Sequence, residues 1–233
     1  MFLTSIHFLS EFQEEIKSRL LGVLRKIIPL SVNYEYEGLI LRIVNHSEIL
    51  SKSDLIELGN FITQELDLFS IEEFSLLESI IIDTKKDLNV EGFWRAKFSK
   101  NKNNPKETTG VYAWIFLNAA YLTTLKDFKT TLAHEYGHHW TILYFIKNHG
   151  FQLEQRLSDQ YYQLRGLNNK DYAPDYTKGW LRCDREIIAE DYRVISAYSP
   201  HNQEHRMASD SGIELTFPNE EIKLYIKGLK QQQ

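Results

Sequence analysis

Residues 125–148 read LKDFKTTLAHEYGHHWTILYFIKN, with His134-Glu135-Tyr136-Gly137-His138 at their centre. Leu125, Phe128, Leu132, Tyr136, His139 and Leu143 recur at helical spacing, and Ile142, Phe145 and Ile146 widen the stripe. The segment is therefore expected to be an amphipathic helix. On such a helix His134 and His138 lie one turn apart beside the stripe, two imidazoles able to grip a single metal ion. Glu135 falls on the neighbouring side, where it can hold a water on that metal without ligating it. A chance H-E-x-x-H in a chain of this length has a probability of roughly one or two per cent, and chance would not favour a helix. His139 sits on the apolar stripe itself and reads as a packing or supporting histidine.

Strands are expected on the N-terminal side of this helix, at residues 77–82, 92–98 and 110–117. A polar loop with Pro105 spans residues 99–109. The strand 110–117 runs almost directly into the histidine helix; this order of elements resembles the upper half of a zinc-peptidase domain, which implies an edge strand along the cleft, here 110–117, that can pair with an extended substrate. Ser51 to Asp54 suit the N-cap of an apolar helix reaching Leu68. Further upstream, residues 8–28 have amphipathic helical spacing, and residues 32–44 read as a hairpin turning at Glu37-Gly38. Residues 1–50 thus form a helix-plus-hairpin module ahead of a catalytic unit at 51–233. After Gly150, a suitable C-cap, residues 151–164 look helical and 168–178 form a loop. Residues 180–197 are the next helix, and 218–229 a closing helix with Pro218 in its first turn.

With 233 residues, 42% hydrophobic and 13% aromatic, the chain has material for a packed core. A net charge of −5 and a pI near 5.9 argue against nonspecific nucleic-acid binding. Lys97, Lys100, Lys102 and Lys106 do cluster, but most of them fall in the polar loop. The single cysteine, Cys183, provides no intramolecular disulfide and suits a reducing compartment, with a buried apolar role for the thiol. The first 21 residues lack a basic opening and an unbroken apolar run, and no stretch approaches ~20 apolar residues. A cytoplasmic protein without membrane or nucleic-acid partners is expected.

A catalytic zinc site needs a third protein ligand. The extended pattern with a third histidine fails, because Thr141 replaces its glycine and Tyr144 its histidine. Glu186, in Arg185-Glu186-Ile187-Ile188-Ala189-Glu190-Asp191, is the leading candidate; Glu190 and Asp159 are the alternatives. Glu186 and Glu190 share a helix face, and Ala189 between them permits close approach of another helix. One carboxylate can bind the metal while the other accepts an N–H from a ligand histidine.

H-E-x-x-H followed by a helical E-x-x-A-E resembles the gluzincin zinc peptidases. The form Glu186-Ile187-Ile188-Ala189-Glu190 is most similar to the catalytic domain of anthrax lethal-factor-like metalloproteases. The resemblance covers roughly residues 51–200, and its specific motifs are the two helical ones. It implies an α+β zincin-like fold, with a small mixed sheet on the metal-binding helix and a mostly helical lower half. One Zn2+ would be bound by His134, His138 and Glu186, with Glu135 as general base and Glu190 as support. The substrate would be a protein or peptide. The tyrosine that lethal-factor-like domains carry seven residues before the ligand glutamate is Gly179 here, which leaves Tyr172, Tyr176, His201 and His205 as candidates to stabilise the oxyanion. Two rival readings are a zincin-fold regulatory protein with metal but no general protease activity, and a structural zinc protein closed by a fourth ligand.

Overall fold

Alternation of apolar and polar residues builds one five-stranded sheet. A computed structural model describes residues 28–100, 108–149, 157–167, 179–208 and 214–230. The expected helix at 8–28 and the candidates Tyr172 and Tyr176 lie largely or wholly outside these residues. The strands are β1 (Leu30–Tyr36), β2 (Leu39–Asn45), β3 (Leu77–Asp83), β4 (Gly92–Lys100) and β5 (Thr108–Asn118), in the spatial order β1-β2-β3-β5-β4. β1 and β2 form an antiparallel hairpin, closed at Glu37 and Gly38 with φ of 48° and 81°. Glycine suits the second of these positions because the left-handed region costs it nothing. β2–β3 and β3–β5 are parallel, and β4 is antiparallel to β5.

Two sequence expectations change here. β5 is not an edge strand: over Ala113–Leu117 it lies between β3 and β4 and leaves no side free for a further strand. The outer strand at this side of the sheet is β4. The hairpin grouped with residues 1–50 is also part of the same sheet through β2–β3, and Val32, Tyr34, Leu41 and Ile43 enter the common core. Tyr34 packs so closely on Gly59 that a Cβ there would lie 2.3 Å from its ring.

Helices cover one face of the sheet, where Ile80, Ile82, Ala113, Ile115 and Leu117 are buried. Helix α1 (Lys52–Glu65) starts in a capping box, with the Ser51 N–H donating to Asp54 at 2.8 Å and the Asp54 N–H to Ser51 Oγ at 3.3 Å. The short α2 (Ile71–Phe74) repeats the device with Ser70 and Glu73. Helix α3 (Leu125–His149) carries the histidines. It is buried on every side over residues 131–140, because the sheet lies above it and α5 (Asp184–Ser196) below.

Between α3 and α5 lies α4 (Asp159–Arg165), capped by Ser158 and ended by Gly166 at φ 64°. The helix expected over 180–197 is divided. A 3-10 turn at Trp180–Arg182 precedes α5, and Cys183 between them is extended. Asp184 is held at the start of α5 by the Leu157 N–H at 3.1 Å and the Tyr162 hydroxyl at 3.0 Å. The closing helix α6 (Glu220–Leu229) is capped by Asn219, so Pro218 stands before the helix rather than in its first turn.

Candidate metal centre

Gly137 sets the geometry of the site. A Cβ at this position would meet the Ala189 carbonyl at 2.6 Å, so the absence of a side chain lets α3 and α5 cross backbone to backbone. The crossing places His134 and His138 on one helix against Glu186 and Glu190 on the other. Glu186 Oε2 lies 3.0 Å from His134 Nε2 and 3.3 Å from His138 Nε2. Glu190 Oε2 lies 2.9 Å from the other nitrogen of His134, Nδ1. Since a carboxylate only accepts, the hydrogen on this side belongs to Nδ1, and Nε2 is the nitrogen that faces Glu186 and His138.

Glu190 is itself fixed. Arg193 donates to it from Nε at 2.9 Å and Nη2 at 2.8 Å, and Arg206 donates from its backbone N–H at 3.2 Å and from Nε at 3.3 Å. The two alternatives to Glu186 thus occupy other places. Glu190 orients His134 from behind, and Asp159 is exposed at the start of α4. Cys183 is buried beside the start of α5 and stands outside the His134–His138–Glu186 group.

This triad could hold a metal ion, its three ligand atoms lying within 4.8 Å of one another. Ligands ~2.0 Å from a tetrahedral metal are separated by about 3.3 Å, close to the 3.0 and 3.3 Å found between Glu186 Oε2 and the two imidazole nitrogens. Electrostatics fit as well. Burial pulls the His134 pKa down, but the hydrogen bonds to Glu186 and Glu190 outweigh it and lift it to about 10. Glu186 is held well below the carboxylate range, since the two histidines overcome the cost of its burial. The two carboxylates therefore favour a positive charge on His134, where the ligand atoms converge.

Glu135 lies beside the triad and is not part of it. Burial raises its pKa, partly offset by His138 and His134 and by a hydrogen bond from the Trp94 backbone. Its Oε2 is buried with no hydrogen-bond partner among the described residues. Gly92 makes room for this carboxylate, as a Cβ there would lie 3.1 Å from Glu135 Oε1 and 2.9 Å from the Phe116 carbonyl. An orphaned carboxylate oxygen next to three converging ligand atoms is what a water shared between the metal and Glu135 would satisfy.

His139 is a support. Trp94 Nε1–H donates to its Nδ1 at 3.1 Å, so Nε2 carries the hydrogen and donates to the Glu73 carbonyl at 2.8 Å. Burial lowers its pKa to about 4, and the neutral ring ties β4 and α2 to α3. Asn118 anchors the loop ahead of β4, donating to Lys85 O at 2.9 Å and Val90 O at 3.0 Å.

A cleft of about 1180 Å³ opens over the triad, lined by β4 and by Trp180, Arg185 and Arg206. The Trp180 ring lies 6.0 Å from that of His134. Trp180, Arg185 and Arg206 went unnoticed in the sequence. Arg185 adjoins Glu186, which was a usable signal; the others come from turns and loops that carry no spacing pattern. His205 and His201 do not line the cleft. The first is held by Asp191 at 2.8 Å, and the second by Thr130 at 2.9 Å and a T-shaped contact with the Phe61 ring.

No protein-family model, no curated protein and no solved structure matches the chain. Among the described residues no helix is long and apolar enough to cross a membrane.

Proposed function

We propose that the chain is a zinc-dependent peptidase of the gluzincin type, with a zincin-like fold. The observation that carries this reading is the position of Glu135. It stands in the cleft next to a two-histidine, one-carboxylate metal group, outside that group, and beneath an outer strand that can pair with a peptide backbone. Three protein ligands with an open position are the donor set of a catalytic zinc site, whereas a structural site would be closed by four.

When bound, the zinc polarises the scissile carbonyl and lowers the pKa of water towards ~7. His134, His138 and Glu186 would hold the ion. Glu190 fixes the ring of His134 through Nδ1. Glu135, beside the metal group and outside it, takes a proton from the attacking water and passes it to the leaving amine. β4 aligns the substrate backbone. A covered Glu135 and outer strand would favour the rival reading, a regulatory zincin without protease activity; among the described residues Glu135 and β4 line the cleft, which supports the peptidase.

The test is Glu135→Gln. Metal content, measured by mass spectrometry of the purified protein, is expected to stay at one ion per chain. Turnover of a cleaved protein or peptide should fall by about 10²–10⁴-fold, the usual contribution of a general base. Unchanged turnover with metal retained removes Glu135 from the mechanism, and the reading with it.

A further inference from the structure

The cleft's charge runs against that of the chain. In a protein with a formal net charge of −5, the cleft wall outside the metal group and Glu135 presents, among the described residues, Arg95, Lys97, Arg185 and Arg206 against one carboxylate, Glu91. Glu91 is already met by Arg206 at 3.3 Å. Two of the cations belong to the outer strand. Trp94 points to α3 through its bond to His139, so its neighbours Phe93, Arg95 and Lys97 lie on the opposite face of β4. There the Arg95 guanidinium rests 4.7 Å from the Phe93 ring centre and the Lys97 ammonium 5.9 Å from that of Trp114. Both side chains are exposed, and ring contacts hold them back against the sheet.

A peptide added to β4 would send alternate side chains to this face, directly across or diagonal to Arg95 and Lys97. Cross-strand pairs of opposite charge are favourable and like-charged pairs unfavourable. We propose that the site selects an extended acidic segment, paired along β4, with carboxylate side chains at two alternate positions facing Arg95 and Lys97. The inference rests on the peptidase reading for the purpose of the cleft, and names its substrate class. An extended backbone suits this edge better than a nucleic acid does, because strand pairing needs regularly spaced N–H and C=O groups.

The experiment uses the full chain as zinc-loaded Glu135→Gln, which should hold peptide without cleaving it. Labelled peptides carry Glu at two alternate positions, Glu at two adjacent positions, Gln at the alternate positions, or Lys there; binding is read by fluorescence anisotropy at low and at physiological salt. The alternate-Glu peptide is expected to bind about 2- to 30-fold tighter than its Gln counterpart, as two cross-strand ion pairs allow. It should also exceed the adjacent-Glu peptide, and lose its advantage as salt rises. Arg95→Glu combined with Lys97→Glu should reverse the order in favour of the Lys peptide. Both substitutions are at exposed positions, and the circular dichroism spectrum should not change.

Equal binding of the Glu and Gln peptides, a preference that survives the charge reversal, or equally tight binding of a single-stranded oligonucleotide overturns the proposal. The same panel incubated with the zinc-loaded native protein separates the two readings. Selective binding without any cleavage sinks the peptidase and keeps the acidic groove. Cleavage without acidic preference does the opposite, and no binding of any peptide sinks both.

Discussion

Helix α5 carries two buried charge clusters that treat a histidine in opposite ways. Toward α3, Glu186 and Glu190 hold His134 by both ring nitrogens. One step around the helix, Asp191 forms an ion pair with Arg165 and accepts the Tyr161 hydroxyl at 2.7 Å and His205 Nε2 at 2.8 Å. Both imidazoles are buried beside carboxylates, yet His134 is lifted to about 10 and His205 pushed down to about 4. The difference is the counter-charge. Arg165 already neutralises Asp191, so burial and then the guanidinium itself disfavour a second cation on His205. His134 lies between two carboxylates whose hydrogen bonds outweigh its burial. The closed cluster excludes a proton and serves as structure; the open one retains a cation and suits a metal.

Removing a partner from the closed cluster should have the largest effect. Arg165→Met leaves Asp191 buried without its cation, and urea unfolding is expected to show a loss of about 3–5 kcal/mol. The folded fraction should still bind one metal ion. If metal binding disappears while stability is intact, the two clusters are not distinct in role.

Acid offers a second way to separate them. His205 has a folded pKa of about 4 against a usual 6.5, so the folded state binds fewer protons than the unfolded chain between these values. Its contribution is present above pH 6.5 and is lost as the pH falls through 4. At 1.36 kcal/mol per unit, the gap of 2.5 between 6.5 and about 4 makes roughly 3 kcal/mol. His205→Gln keeps an N–H for Asp191 and cannot titrate, so it should flatten this part of the stability–pH curve. An unchanged acid slope in the variant would show that His205 is not the group responsible.

Metal affinity should respond to the neighbouring carboxylates unequally. Glu190→Gln is expected to weaken metal binding by about 10- to 100-fold, or about 1.4–2.7 kcal/mol, in competition with a chelator. Asp191→Asn should cost stability and leave the affinity within about twofold. Equal losses from both substitutions would erase the contrast.

The smallest signal is a proton. With His134 at about 10, the metal-free protein carries a proton there at pH 7.5, and a metal on Nε2 must displace it. Calorimetry in two buffers of different ionisation enthalpy should report release of about one proton per ion, with affinity rising with pH up to about 10. Binding without proton release would remove His134 from the ligand set.

The local features of this protein were readable along the chain. The histidine helix, expected over 125–148, spans Leu125–His149, and the hairpin turns at Glu37-Gly38 as its residues suggest. Ser51 caps α1 with Asp54. Each depends on residues within a few positions of one another. The break at Cys183 was hidden because no proline or glycine marks it; the partners that hold Asp184 there, Leu157 and Tyr162, lie in another part of the chain. The assignment of the outer strand failed for a similar reason. Alternation shows that 92–98 and 110–117 are strands, but which of them lies outermost depends on how β5 inserts beside β3.

The sequence by itself determined that two imidazoles and a glutamate would share one helix, since spacing of four residues on a 3.6-residue turn is a local matter. Only the tertiary structure decided that Glu186 joins them while Glu190 stands behind His134, and that β4, not β5, is the outer strand at the cleft. These outcomes rest on contacts between residues about 50 positions apart, brought together where Gly137 and Ala189 let two helices touch. No periodicity along a chain encodes which distant residues will meet.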